Sequence, residues 1–334
     1  MNTVSLLTAY ATPYKYGKAV LEGSGVQGAF DSLAVDVPFV FQHQGRYFML
    51  YTGFDGTGYQ SALAVSDDLL NWKHHGMVLK RLDKKDKWDG ISIAGTWILR
   101  DMDIRGNYGL EKFQGKYWMI YHSYPGAGYE TGAAEMGFAW TEDENLLDWH
   151  RLEDPVYSWR DGADWEKAGL YKACFFRHQD LFYLFYNAKN KESGWIEQTG
   201  LATSKDLLHW ERYEGNPVLK VEDGTWRSRF VSDPNICRDG DLWLNFFFGY
   251  DYKHAQDGIA CSRDLFHWEM AEEPILKYGA EGEIDSIHAH KAAIITKGKR
   301  LYHFYNAVRP WRPGDRTKNG NEYRVISVAS SEPF

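Results

Sequence analysis

Residues 283–292, EIDSIHAHKA, set two carboxylates, two imidazoles and an ammonium at the point where an apolar strand begins. His288 and His290 are two apart and share one face of an extended chain, which turns Lys291 to the other face. Asp285 lies just upstream. Groups of these types crowded together shift one another's pKa values, which is what acid–base chemistry needs. Two histidines without a further ligand are a weak metal signature, so no metal is assigned. Asp36 and Asp233 stand one or two residues ahead of Pro38 and Pro234, where they serve either as turn residues or as a matched pair of acids. Lys172, Glu135 and Glu166 are further candidates. Each of the two glutamates reads equally well as a solvated loop carboxylate.

The elements that must position these groups come from a repeat. The motif DLLNW, NLLDW, DLLHW, DLFHW ends at Trp72, Trp149, Trp210 and Trp268. Each copy follows a short β-type segment (ALAVS, GFAWT, GLATS, GIACS) and, earlier, an aromatic strand such as RYFMLYTG or LFYLFYNA. A fifth aromatic strand, RLYHFYNA, has no Trp motif after it. A fourth segment follows each Trp motif, and its fifth copy stands instead at the N-terminus, as GKAVLEG at 17–23. Four β-type segments per unit predict an all-β, five-bladed β-propeller. The ring is closed by the N-terminal strand in the last blade, and residues 1–334 form one domain.

In such a ring the first strand of each blade lines the axis. Blade one supplies the strand from Asp36, blade two 95–104, blade three 169–178, blade four 232–240, and blade five the opening segment. Polar residues at these strand mouths converge. Gln60, Glu135, Gln198 and Gln256 form a second polar column at the start of the third strands. Trp72, Trp149, Trp210 and Trp268 are repeat residues that pack between blades. Trp97, Trp165, Trp195, Trp226 and Trp311 lie outside that motif, and they are candidate platforms for a sugar ring, as is Arg229 for its polar groups.

The net charge of −8 over 334 residues, with Lys and Arg scattered, excludes a nucleic-acid partner and favours a small-molecule oligosaccharide. No run approaches the roughly 20 apolar residues of a membrane span. Neither a signal-type N-terminus nor a disulfide framework is evident, since Cys174, Cys237 and Cys261 sit in apolar runs. A cytoplasmic protein with buried thiols is expected.

The stretch SDPNICRDGDLWLNFFFG at 232–249 resembles the Asp-Pro-x-Ile signature of the five-bladed glycoside hydrolases, family 43 above all, with the related families 32, 62, 117 and 130. SDDLLNW and SRDLFHW resemble the Ser-x-Asp-Leu-x-x-Trp segment of the same superfamily. The resemblance implies inverting hydrolysis of a glycosidic bond, with Asp36 as general base and Asp233 as the aspartate that tunes pKa. The family-43 acid has no counterpart at 168–172, so His288, His290, Glu135 and Glu166 remain the candidates. Trp97, Trp165, Lys172, Trp226, Arg229, Asp285 and Lys291 are expected to bind substrate. No cofactor is required, although related propellers often hold a cation on the axis. Two alternatives stand beside hydrolysis: a family-130-like phosphorylase, with phosphate held by Lys172, Arg227, Arg229, His290 and Lys291, and a carbohydrate-binding propeller without chemistry.

Overall fold

The computed structural model describes all residues except 1, 2, 83, 85 and 191–194. It is a five-bladed β-propeller. Blade one runs Ala34–His43, Arg46–Phe54, Tyr59–Ser66, Lys73–Leu79. Blade two runs Ser92–Ile98, Tyr117–Tyr124, Glu135–Thr141, His150–Arg151. Blade three runs Gly169–His178, Leu181–Lys189, Glu197–Ser204, Glu211–Arg212. Blade four runs Phe230–Asp239, Leu242–Tyr250, Ala255–Ser262, Glu269–Met270. Blade five contributes His288–Lys297, Arg300–Pro310 and Glu322–Ser330. Its fourth strand is Tyr14–Lys15, antiparallel to the last strand of the chain, with a further bridge from Leu21 to Ile326. The N-terminal segment therefore takes the expected place, in two short pieces rather than as one strand over 17–23.

Each repeat motif has a physical task. In SDDLLNW, Ser66 Oγ accepts the Leu69 N–H, Asp68 accepts those of Leu70 and Asn71, and the Trp72 indole donates to the Leu69 carbonyl. Leu69, Leu146, Leu207 and Leu265 all sit at positive φ, so the turn is the same in four blades. The tryptophans then reach back to the preceding blade: Trp210 stacks on Phe138, Trp268 meets Phe185 edge-on, and Trp72 meets Phe304 of blade five. That last contact sets blade one against blade five.

A second repeat, less visible in sequence, opens every blade. Phe30-Asp31, Trp88-Asp89, Trp165-Glu166, Trp226-Arg227 and Ile284-Asp285 occupy equivalent places. Trp88, Trp165 and Trp226 lie flat on Tyr121, Tyr186 and Phe247 of their own blade's second strand. The acid accepts that tyrosine's hydroxyl and pairs with a base on the outer strand: Asp89 with Arg151, Glu166 with Arg212, Asp285 with Lys15. Blade four has Phe247 in place of tyrosine, and there the acid is replaced by Arg227, paired with Glu222. Trp165, Trp226, Glu166 and Asp285 are thus latches within blades. Their expected part in catalysis or substrate binding is corrected by where their polar atoms are bonded.

The glycine that opens GFAWT, GLATS and GIACS lies under these aromatic pairs. A Cβ on Gly200 would stand 2.4 Å from Tyr186 Cζ and 2.8 Å from Trp165 Cη2. Close approach, and not a turn, requires glycine here.

After Ile98 the chain leaves blade two, instead of continuing as strand to Ile104. It crosses the far end of the axis: Gln42 N–H donates to the Tyr108 carbonyl, Arg238 N–H to Met102, Ile104 N–H to Arg238, and Tyr108 Oη to Thr296 Oγ1. Blades one, four and five are stapled by one loop. Arg100, buried beneath it, is caged by the rings of Phe39, Trp97 and Tyr108 at 5.3, 5.0 and 4.7 Å. The three cysteines are free and buried, as expected. Among the described residues no helix is long and apolar enough to cross a membrane.

Gly200→Ala is expected to destabilise the protein by about 1–3 kcal/mol through overpacking of the Trp165–Tyr186 pair. Urea unfolding followed by tryptophan fluorescence measures it, and a change below about 0.5 kcal/mol would contradict the close-approach account.

Candidate active site

Every first strand carries one extra residue, a β-bulge, at the same point: after Asp36, Gly95, Tyr171, Ser232 and His290. Four of the bulged residues, Val37, Lys172, Asp233 and Lys291, have φ between 47 and 67°. Non-glycine residues held there cost about 1–3 kcal/mol each. Neighbouring blades support the distortion: Asn306 accepts the Val37 N–H, His122 that of Lys172, and Asn187 that of Asp233. The bulge re-aims the side chain. Lys291 therefore faces the same cavity as His288 and His290, against the strict alternation expected of a regular strand. It also separates Asp36 from Asp233: Asp36 is equivalent to Ser232, and Asp233 to Val37.

The cavity, of about 400 Å³, opens at the mouths of the first strands. Its blade-five wall is His288, His290, Lys291 and Arg324, its blade-four wall Phe230, Phe248, Tyr250 and Tyr252, and its blade-two and blade-three wall Tyr129, Glu130, Tyr171, Lys172, Trp195 and Glu197. A small cavity beneath, of about 30 Å³, touches Trp97, Lys172, Asp233 and Lys291 on the axis. A further cavity of about 470 Å³ lies at the opposite face, among Arg100, Asp101, Glu111, Arg177 and Arg238, and contains none of the bulged residues.

Four cations and four carboxylates interlock around the main cavity. Lys291 Nζ donates to both Asp36 oxygens at 2.8 and 2.9 Å, and Arg324 adds a third bond at 3.3 Å. Lys172 Nζ stands 3.6 Å from both Glu130 and Asp233. Lys189 Nζ reaches Glu130 Oε2 at 3.1 Å and Glu197 Oε1 at 3.9 Å. The two glutamate oxygens that face this shared ammonium are accordingly within about 7 Å of each other.

Burial alone would raise the Asp36 pKa, but the Lys291 and Arg324 charges outweigh it and hold the carboxyl low. Burial pulls Lys291 down to about 8 against the attraction of Asp36. Glu130 is likewise held well below the usual carboxylate range, Lys189, Lys172 and Lys291 overcoming its desolvation. Asp233 goes the other way: burial pushes it up to about 6, only partly offset by Lys172 and Lys291. His288 falls to about 3 and His290 well below its ordinary value, through burial first and then the Arg324 and Lys291 charges.

These facts revise the expected roles. Asp36 has both oxygens committed to Lys291 and Arg324 and does not line the cavity, so it does not stand where a general base must. His288 and His290 do line it, but neutral imidazoles hold no surplus proton for a leaving group. Glu135 is turned away, bonded to Ser158 at 2.5 Å and to Arg160. Because side chains alternate along a strand, the functional column at the start of the third strands is one residue earlier, where blade three carries Glu197. Trp97 lies below the cavity floor, packed on Phe39 at 4.4 Å. Arg229 stacks on Tyr252 at 4.0 Å at the rim. Arg227 is tied to Glu222 and to the Ala271 carbonyl, outside the site. Of the expected substrate-binding residues, Lys172 and Lys291 are at the cavity.

The sequence singles out neither Glu130 nor Glu197. Glu197 sits beside Gln198 in the polar column, and the alternation rule applied one position upstream would have found it. Glu130 lies in a Gly- and Tyr-rich loop, PGAGYETG, without a periodic signal. Among the described residues no group of three or more His, Cys, Asp or Glu could hold a metal. The axial cation of related propellers does not fit, because Lys172 and Lys291 put two ammonium groups on the axis, and Asp36 is already paired with one of them.

Comparison with known proteins places this arrangement. Residues 107–306 match the glycosyl hydrolases family 32 N-terminal domain. The chain belongs to this family. Two solved structures, one of a BT0996 complex with RGII and one described as a glycoside hydrolase, are each 30% identical, with a TM-score of 0.83, over 99% of this protein and 95% of theirs. A 1,2-beta-oligomannan phosphorylase of Thermoanaerobacter sp. (strain X514) is 27% identical over 128 residues, 36% of this chain. The match spans 43% of that relative's length, less than half. This family 32-type propeller is thus a carbohydrate-active protein of the glycoside hydrolase or phosphorylase kind.

Two outcomes test the electrostatics. Asp36→Asn leaves Lys291 and Arg324 buried without their counter-charge, and should cost about 3–5 kcal/mol in denaturant unfolding. A loss of activity with unchanged stability would instead restore Asp36 as a base. The folded pKa of Asp233 stands above its ordinary 3.8, so its contribution to stability is complete below pH 3.8 and is lost as pH rises through about 6. Asp233→Asn should remove a stability change on the order of 2 kcal/mol over this window. Calorimetric melting at stepped pH reads it, and parallel curves for the two proteins would refute the assignment.

Proposed function

We propose that this protein is an exo-acting glycoside hydrolase that releases a single neutral terminal sugar from an oligosaccharide, with Glu130 and Glu197 as its carboxylate pair. The observation that carries this reading is the shared Lys189 ammonium, which holds the two carboxylates within about 7 Å on one cavity wall. Retaining glycosidases set their carboxyl groups roughly 5–5.5 Å apart and inverting ones roughly 6.5–9.5 Å. The bound favours retention over the inversion that the family-43 resemblance implies.

Glu130, kept ionised by three lysines, suits the nucleophile. Glu197 suits the proton carrier: Trp195 Nε1 donates to its Oε1 at 2.7 Å, and its Oε2 meets the Ser232 hydroxyl at 2.7 Å. A hydroxyl can donate to a carboxylate and accept from a carboxylic acid, so this contact survives both protonation states. In the first step a Glu130 oxygen bonds to the anomeric carbon as Glu197 gives its proton to the departing oxygen. In the second, water replaces Glu130 at that carbon and returns a proton to Glu197.

Hydrolysis is favoured over phosphorolysis by charge. Each cavity cation already faces a carboxylate: Lys172 lies between Glu130 and Asp233, Lys189 against Glu130, and Lys291 and Arg324 against Asp36. Among the described residues no concentration of unmatched cations remains for phosphate, nor for an acidic sugar. A cavity of about 400 Å³ is at the small end of ligand pockets and suits one or two sugar rings.

The test is a panel of 4-nitrophenyl glycosides, β-1,2-linked manno-oligosaccharides and an RGII-derived oligosaccharide, assayed with and without phosphate. Turnover indifferent to phosphate is expected, with Glu130→Gln and Glu197→Gln each lowering kcat by about 10²–10⁴. Release of a sugar phosphate would establish the phosphorylase instead. Absence of turnover across the panel would favour a binding propeller.

A further inference from the structure

The mouth of the cavity is ringed by three exposed aromatic side chains from three blades: Tyr129 (43% exposed), Trp195 (45%) and Tyr252 (52%). Each ring is fixed on its inner side. Tyr129 meets Phe54 and Tyr59 at 5.5 and 5.9 Å, Trp195 covers the Lys189 ammonium at 4.0 Å, and Tyr252 carries the Arg229 guanidinium at 4.0 Å. Rings held this way lose little freedom when a ligand stacks on the outer face.

Backbone geometry is an independent sign. Trp195 and Tyr252 have φ of 45 and 74°, and Glu130, next to Tyr129, has φ of 50°. Large side chains in the left-handed region are uncommon and cost about 1–3 kcal/mol each. All three rim loops adopt this cost at the residue that presents a ring or the adjoining glutamate. Turn geometry alone would have been met more cheaply by glycine, which the chain uses freely in its other turns. The floor of the cavity is closed by Lys172, His290 and Lys291, so a sugar released there enters terminal end first, and its leaving group must exit past this rim.

We propose that Tyr129, Trp195 and Tyr252 form a leaving-group platform on which at least two further neutral sugar rings of the substrate stack, making the preferred substrate an oligosaccharide of three or more rings. This rests on the hydrolase reading for the words "leaving group", while the binding it asserts is separable from turnover. The rim is chemically suited to glycans: flat aromatic faces pair with the C–H faces of sugar rings, and the adjoining Arg229 and Tyr hydroxyl groups supply donors for hydroxyls.

The decisive comparison is kcat/KM on a three-ring oligosaccharide divided by kcat/KM on the 4-nitrophenyl glycoside of the same terminal sugar. Tyr252→Ala should lower this ratio by about tenfold or more, and Tyr252→Phe, which keeps the ring, should restore it to within about twofold of wild type. An unaltered ratio in Tyr252→Ala, with a melting temperature like that of wild type, would overturn the platform. Calorimetric titration of the Glu130→Gln variant with two-, three- and four-ring oligosaccharides of the panel separates this from the hydrolase reading. Affinity that rises with ring number supports the platform even if no glycoside is turned over. Affinity that is flat from two to four rings, or absent for every oligosaccharide tested, overturns it even if hydrolysis is found, and would leave the rim open to a protein partner.

Discussion

The site depends on one distortion repeated around a ring. A regular first strand would send alternate side chains to the axis and to the blade interior, and five such strands would fill the axis with whatever the alternation dictated. The bulge adds a residue and holds it, in four blades, in the left-handed region. Charged side chains that would otherwise point into packed interior are thereby turned to the cavity. Lys172, Asp233 and Lys291 all owe their positions to it. The strain is sustained because Asn306, His122 and Asn187 each accept the bulged N–H of the next blade, so the distortion also bonds blade to blade.

Once those ammoniums are on the axis, electrostatics dictates the rest. Buried charges require partners, and the carboxylates of Asp36, Glu130 and Asp233 supply them. Roles then separate by environment. Asp36, clasped by two cations, is a structural counter-ion. Asp233, more deeply desolvated and less fully compensated, holds its proton to about pH 6. Glu130 is surrounded by lysines and remains ionised, while Glu197 contacts groups that tolerate either protonation state. Arg100, caged beneath the crossing loop, completes a column of side-chain cations where related propellers often hold a metal.

Much of the fold is legible in the sequence. The Trp motifs, the aromatic second strands and the displaced fifth outer segment reveal blade number and order, because those residues make contacts repeated identically in each blade. Asp285 and Glu166 look chemical for the opposite reason: the repeat to which they belong is degenerate in sequence, changing acid for arginine where tyrosine becomes Phe247. Only the hydroxyl and outer-strand base that each one meets show it to be a latch. Trp165 and Trp226 resemble sugar platforms on the same ground, until the rings they cover are seen.

The sequence by itself determined what repeats: strand period, turn chemistry, interblade tryptophans, and the closing of the last blade by the first strand. These follow from local patterns that each unit must satisfy to bury its faces. The tertiary structure alone decided which polar residues converge. The bulges displace the alternation by one residue, so that Lys291 joins the histidines and Asp36 and Asp233 cease to be equivalent. The catalytic candidates Glu130 and Glu197 are 67 residues apart, one of them in an aperiodic loop, and are brought together only by Lys189. No local pattern encodes that meeting, because it arises from the closing of blades two and three around a common axis.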